Sequence, residues 1–410
     1  MNDMPDPTKM IEAARLTRAG RLTEATALLQ RMLQGKIAPD AIIGAAAAIA
    51  AGRKPQIIDV AATGAASDRP HFDKAALVQP VLQSLRGLID RIKRPAGLEL
   101  PPLQPAAPVP IPDIVPAGGK FIAATYGNAA GRRVYKLYIP SGYSGAPGQA
   151  LPLIIMLHGC SQAPDDFAAG TRMNVIAEEQ TCLVVYPAQP SDANPGKCWN
   201  WFRPGDQRRD QGEPSLIAGI TREVMREYAV DPRRVYIGGL SAGAAAAVVM
   251  GATYPDLYAA IGVHSGLACG AANDLTSAFT AMRQGELVAS FGSDDILPVG
   301  SDGSAVPTIV FHGDRDTTVH PRNGDHVIAQ SMRTTNVQSQ VQRGRVPGGH
   351  VYTRTIHATA GGRAILEHWE IHGAGHAWSG GSPAGSYTDP RGPDAAREML
   401  RFFLEHSLPA

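Results

Sequence analysis

The apolar positions of the chain follow two different rhythms. In the first part they recur at helical spacing: Met10, Ile11, Ala14 and Leu16, then, after a break at Gly20, Leu22, Ala25, Leu28, Leu29 and Leu33. This predicts a helical hairpin. No second copy follows to bury its apolar face as a repeat array would require, so a docking or self-associating hairpin is the expected role. A further amphipathic helix is predicted within "DKAALVQPVLQSLRGLIDRI", interrupted by Pro80. The proline density of "PAGLELPPLQPAAPVPIPDIVPAGG" then excludes a packed helix and favours an extended connector. The expected division is a helical region at 1–94, a proline-rich linker at 95–118 and a second domain at 119–410.

Beyond the linker the rhythm changes to short β-branched and apolar runs alternating with helical patterns. Candidate strands are "FIAATYG", "RRVYKLYIP", "LPLIIMLHG", "TCLVVYP", "RVYIGG", "AAIGVHSG", "PTIVFHG" and "LEHWEIHG". Helices are predicted near 165–180, 213–228, 242–254, 321–334 and 393–405. The first two strands read as a hairpin. The rest are apolar on both faces and separated by helices, which predicts an α/β domain with a mostly parallel central sheet covered on both sides. In such sheets ligands bind at the carboxyl ends of the strands, and several of these strands end in glycine-containing loops that carry Ser, His or Asp.

Composition narrows the function. Of 410 residues, 44 % are hydrophobic, enough for a large core. The 38 basic residues against 37 acidic ones leave a net charge of +1, so nucleic acid and anionic membrane are not expected partners. The most apolar internal run, residues 41–52, is too short to span a bilayer, and the acidic N-terminus lacks the basic flank and apolar core of a secretory signal. A cytoplasmic location is the expectation, with another route of secretion left open. The four cysteines include no CxxC pair, and no metal or cofactor is expected. Cys182 lies in a strand pattern, whereas Cys160, Cys198 and Cys269 lie in loops where two of them could bridge.

The chemistry centres on "GGLSAG". Gly239-Leu240-Ser241-Ala242-Gly243 is a G-x-S-x-G pattern placed after a predicted strand and before a predicted helix, the context of a nucleophile elbow. A serine nucleophile needs a base and the base an orienting acid, in the chain order Ser, Asp, His for this architecture. "HGDRDTTV" supplies Asp314 and Asp316, and "HWEIHGAGHAWSGG" supplies His372 and His376. Asp316, further along its loop, and His376, in a glycine-rich loop, are the expected partners of Ser241. The Ala242 amide and that of Cys160, in "HGCS", are expected to form the oxyanion hole, with Ser161 next to it. Trp199 and Trp201 in "CWNWF" are expected to form an apolar substrate surface with Asn200 between them, and His264 in "VHSG" to border the site.

Six stretches in order, "LHGCSQAPDDFAAGTRMN", "CWNWF", "GLSAG", "VHSGLACGAA", "HGDRDTTV" and "GAGHAWSGG", resemble the polyhydroxybutyrate depolymerase family of esterases, related to feruloyl and acetylxylan esterases of the α/β-hydrolase superfamily. The likeness covers residues 120 to 405. It implies an α/β-hydrolase fold, a serine esterase acting through Ser241, Asp316 and His376, an oxyanion loop around Cys160, and a Cys160–Cys198 bridge. The substrate implied is a hydroxyalkanoate polymer or oligomer. The alternatives are a feruloyl or acetylxylan esterase, and a non-catalytic granule- or polymer-binding protein.

Overall fold

The computed structural model describes residues 114–285, 306–332 and 337–409. The helical region expected at 1–94 and most of the linker lie outside them, as does self-association through those helices.

Strands β1 (Lys120–Asn128) and β2 (Gly131–Ile139) form the expected hairpin. There follow β3 (Leu151–Leu157), helices α1 (Pro164–Thr171) and α2 (Met173–Gln180), β4 (Leu183–Pro187), α3 (Gly212–Glu227), β5 (Val230–Leu240) and α4 (Ala242–Thr253). The chain continues through β6 (Ala260–His264), α5 (Leu275–Gln284), β7 (Thr308–Gly313), α6 (Arg322–Met332), β8 (Gln338–Arg345), β9 (Val351–Ala358) and β10 (Ala364–His372). A two-residue pair, β11 (Trp378–Ser379) with β12 (Thr388–Asp389), and α7 (Ala395–Leu404) complete it. The helix predicted near 165–180 is two helices, because Arg172 between them takes the left-handed conformation (φ 57°).

Ten strands form one sheet in the order β1-β2-β4-β3-β5-β6-β7-β10-β9-β8. The run from β4 to β10 is parallel throughout, and antiparallel hairpins close both ends. Side chains of a strand alternate between faces, and in β3 both faces are core: Leu153, Ile155 and Leu157 join one apolar cluster with α3 and α4, while Ile154 and Met156 join another with α1, α2 and α7. This double burial is why the central strands read as unbroken apolar runs. The outer strand β8, "QSQVQRGR", is polar and almost wholly exposed, which protects an edge that would otherwise recruit a further strand.

The connections fix where a site can lie. From β3 the chain crosses to β4 on one side and then returns to β5 on the other, so β3 and β5 flank a topological switch point. Loops leaving adjacent strands there diverge and open a crevice at their carboxyl ends. Leu157 pairs with Gly239, which places the segment from His158 to Cys160 beside Leu240 and Ser241.

Candidate active site

Ser241 sits between β5 and α4 with φ 57° and ψ −121°, a backbone conformation costly for a non-glycine residue. The elbow is sterically tight. A Cβ on Gly239 would lie 2.5 Å from the Leu157 carbonyl oxygen, and one on Gly243 would lie 2.1 Å from the same atom. Both glycines are therefore required for the first turn of α4 to press against the end of β3. The Ser241 amide donates to the His264 carbonyl (2.9 Å), so the strained turn is held from β6 as well.

Asp316 and His376 form a close pair: His376 Nδ1 donates to Asp316 Oδ2 at 2.6 Å, and the carboxylate is fully buried. Burial alone would raise the Asp316 pKa. Hydrogen bonds from His312 and His376, and the attraction of those rings, outweigh it and hold the carboxyl well below the usual carboxylate range. Its other oxygen accepts the amides of Thr318 and Val319, both at 2.8 Å. The acid is thus fixed in position and ionised. Asp314 and His372 form a second, looser pair (3.1 Å), but the other ring nitrogen of His372 is taken by Thr353 Oγ1 and both members are part-exposed.

His264 links the Ser241 and His376 segments. While its carbonyl receives the Ser241 amide, its ring Nε2 accepts the Ser379 amide at 3.0 Å, three residues beyond His376, and its ring stacks on Trp378 at 5.0 Å. Ser241, Asp316 and His376 thus all leave the carboxyl edge of the parallel sheet, from β5, β7 and β10. Since Nε2 is an acceptor, His264 must be neutral with its proton on Nδ1, next to Ser265 Oγ. Burial, reinforced by the charges of His312 and His376, pushes its pKa down to about 3.

The loop after β3, expected to supply an oxyanion donor, is held from both sides. His158 Nδ1 donates to the Gly159 carbonyl (2.8 Å), which also receives the Gln162 amide, and His158 Nε2 accepts the Gln189 amide (3.0 Å). In a trans peptide the N–H points opposite to the C=O, so fixing the Gly159 carbonyl also fixes the direction of the Cys160 N–H. Neither that amide nor the Ala242 amide, at the first position of α4, donates to another group among the described residues. A disulfide joins Cys160 to Cys198, the pair that the resemblance implied, while Cys182 and Cys269 are buried free thiols. Closing a loop of 38 residues is worth about 4 kcal/mol in the chain-entropy account of cross-links.

Burial makes a pH prediction. Desolvation pushes His158 down to about 4, against an ordinary value of 6.5, and His264 lies lower still. Below about pH 6.5 the unfolded chain takes up protons at these two positions that the folded chain refuses. Their contribution to stability is complete above that pH and declines as pH falls towards 4 and 3. Calorimetry should show a plateau of melting temperature near neutrality and a steady fall from about pH 6.5 to 4; a flat profile over that interval would contradict the burial of neutral imidazoles.

Three expected substrate contacts are corrected. His264 is fully buried and both its ring nitrogens are engaged within the protein, so its ring supports the loops and has no nitrogen free for substrate. Trp199 is also fully buried, packed near His158 (ring centroids 5.8 Å apart), and Trp201 is only 5 % exposed. The tryptophan loop is core, not an open apolar platform. The cause is Glu213, a buried carboxylate that accepts both the backbone and side-chain N–H of Asn200 (2.7 Å each) and the side-chain N–H of Gln189. Burial and the nearby Asp206 raise the Glu213 pKa. Gln189 also bonds the Cys198 carbonyl with its side chain and His158 Nε2 with its backbone amide, which ties this network to the loop after β3. Ser161 alone of the expected contacts remains exposed beside Cys160. Among the described residues one group, Asp314, Glu370 and His372, brings metal-type donor atoms within 4.8 Å of one another, but the Asp314–His372 and His372–Thr353 bonds already occupy the imidazole. No helix among the described residues is long and apolar enough to cross a membrane.

Known proteins share sequence and fold with this chain. The family described as Esterase PHB depolymerase matches residues 133–345. Poly(3-hydroxyalkanoate) depolymerase C of Paucimonas lemoignei is 34 % identical over 236 residues, covering 57 % of this chain and 56 % of its own length. Acetylxylan esterase A of Aspergillus ficuum is 27 % identical over 205 residues, covering 48 % of this chain and 65 % of its own. The chain therefore spans between about half and two thirds of the length of these curated relatives. The solved structure of an acetyl xylan esterase from Aspergillus awamori superimposes with a TM-score of 0.53 at 18 % identity, covering 70 % of this chain and 99 % of that one. The shared architecture is the α/β-hydrolase fold.

Proposed function

The chain belongs to the Esterase PHB depolymerase family, and from that premise we propose that residues 119–410 are a serine hydrolase domain that cleaves hydroxyalkanoate polymer or oligomer esters. The observation that carries the reading is the buried Asp316–His376 pair at 2.6 Å, at the same edge of the sheet as a serine on a strained elbow. Ser241 Oγ attacks the ester carbonyl as His376 Nε2 takes its proton, and the tetrahedral oxyanion is met by the Cys160 and Ala242 amides. Each such donor is worth about 3 kcal/mol in the transition state. His376 then gives its proton to the departing alcohol; water, deprotonated by the same imidazole, releases the hydroxy acid and restores Ser241.

The Cys160–Cys198 bridge favours an oxidising compartment over the cytoplasm. A feruloyl or acetylxylan esterase is the second reading, favoured by the acetylxylan esterase relative. Steady-state hydrolysis of 3-hydroxybutyrate oligomers, acetylated xylan and feruloyl esters separates the two. The expected result is a kcat/KM for the oligomers at least about tenfold above the others; comparable rates, or turnover of the acetyl or feruloyl esters alone, would transfer the assignment to the second reading.

A further inference from the structure

The segment between β11 and β12 contains an aromatic residue in an unusual state. Tyr387 has φ 54°, a left-handed conformation that is a genuine outlier for a bulky side chain, and the residue is 39 % exposed. Its backbone is anchored on the histidine side, where its carbonyl accepts the Trp378 amide at 2.7 Å, two residues beyond His376. The side chain reaches the other way, to Ser161 Oγ at 3.2 Å. Ser161 is also left-handed (φ 64°) and follows Cys160 directly.

The residue before it makes the matching bond. Gln162 Nε2 donates to the Ser386 carbonyl at 3.1 Å, and Gln162 Oε1 accepts the Gly159 amide at 2.9 Å. Asp166, in the first turn of α1, accepts the Ser386 amide at 2.9 Å. The 386–387 strap therefore grips the oxyanion loop at Gly159 through Gln162 and at Ser161 through the tyrosine hydroxyl. Cys160 lies between those two grips. Strained residues persist only where their surroundings over-determine them, and they cluster where geometry matters for chemistry.

We propose that Tyr387 is a positioning and specificity residue of the esterase site: its hydroxyl holds Ser161, and through it the Cys160 amide, while its exposed ring forms a wall for the ester chain. The inference rests on the serine-esterase reading above. It identifies a single residue spanning the histidine loop and the oxyanion loop, so that closure of the substrate mouth and alignment of the oxyanion donor are set together.

The test is kinetic. Tyr387→Phe keeps the ring and removes the hydroxyl, and Ser161→Ala removes the partner. Each should lower kcat on a 3-hydroxybutyrate oligomer about tenfold, short of the 10²–10³-fold typical of losing an oxyanion donor outright, with KM within about twofold of wild type. The double variant should be no worse than either single one, as expected for two halves of one interaction. Tyr387→Ala should in addition raise KM several-fold, an effect that phenylalanine avoids. Unchanged kcat in both single variants of an active protein, or additive losses in the double variant, would overturn the inference and leave the esterase reading standing. A wild-type chain with no ester turnover would overturn both.

Discussion

Ser241→Ala is expected to lower kcat/KM for ester hydrolysis by on the order of 10⁴-fold or more while leaving the fold intact. The activity loss follows from covalent catalysis: without the hydroxyl no acyl-enzyme forms, and only the binding and oxyanion contributions remain. Retention of the fold follows from the elbow itself. The Ser241 side chain caps no amide of α4, and alanine meets the same left-handed strain as serine, so the melting temperature should move by no more than a degree or two. A fluorophosphonate probe should label the native wild type at Ser241 and leave the variant unlabelled. Full activity in the variant would remove Ser241 as the nucleophile, and a native protein that neither reacts with the probe nor turns over ester would favour a non-catalytic binding protein.

Much of this site was legible in the sequence because its determinants are local. The glycines flanking Ser241 are demanded by a turn of a few residues, and the apolar runs of β3 to β7 are demanded by burial on both faces. What escaped the sequence is what depends on partners far along the chain. "CWNWF" looks like a surface loop because a polar asparagine separates two tryptophans; Glu213, 13 residues beyond Asn200, is what allows that asparagine to be buried. Nothing in local composition announces such a partner. The hairpin of β8 and β9 was likewise hidden, since β8 buries no apolar face and shows no alternation. Helix α5 lies outside the helical patterns that periodicity predicts, although Asp274 and Ser277 form a reciprocal capping box at its start. Tyr387 carried no signal, because its significance lies in a bond to a residue 226 positions away.

The choice between two neighbouring aspartates is where the structure adds most, and it makes the second large prediction. Asp316→Asn should reduce kcat by about 10⁴-fold, by analogy with other triads, whereas Asp314→Asn should stay within a few-fold of wild type. An asparagine at 316 would keep its carbonyl oxygen where Thr318 and Val319 donate, because those amides need an acceptor. Its NH₂ group would then face His376 Nδ1, where the carboxylate oxygen now accepts a hydrogen bond at 2.6 Å. A donor there forces the imidazole proton onto Nε2, and a ring protonated at Nε2 has no lone pair to offer Ser241. The enzyme would be assembled with its base in the wrong tautomer, so kcat falls while KM for the ester stays close to wild type. Asp314 bonds instead to His372 and to the Gly373 amide (2.7 Å), at the base of the loop that leads to His376; its loss alters a support and not a proton acceptor. Parallel measurement of kcat and KM for the two variants decides the matter: a larger loss at 314 would show that Asp314 orients the imidazole, and equal losses would show that Asp316 is not its specific partner.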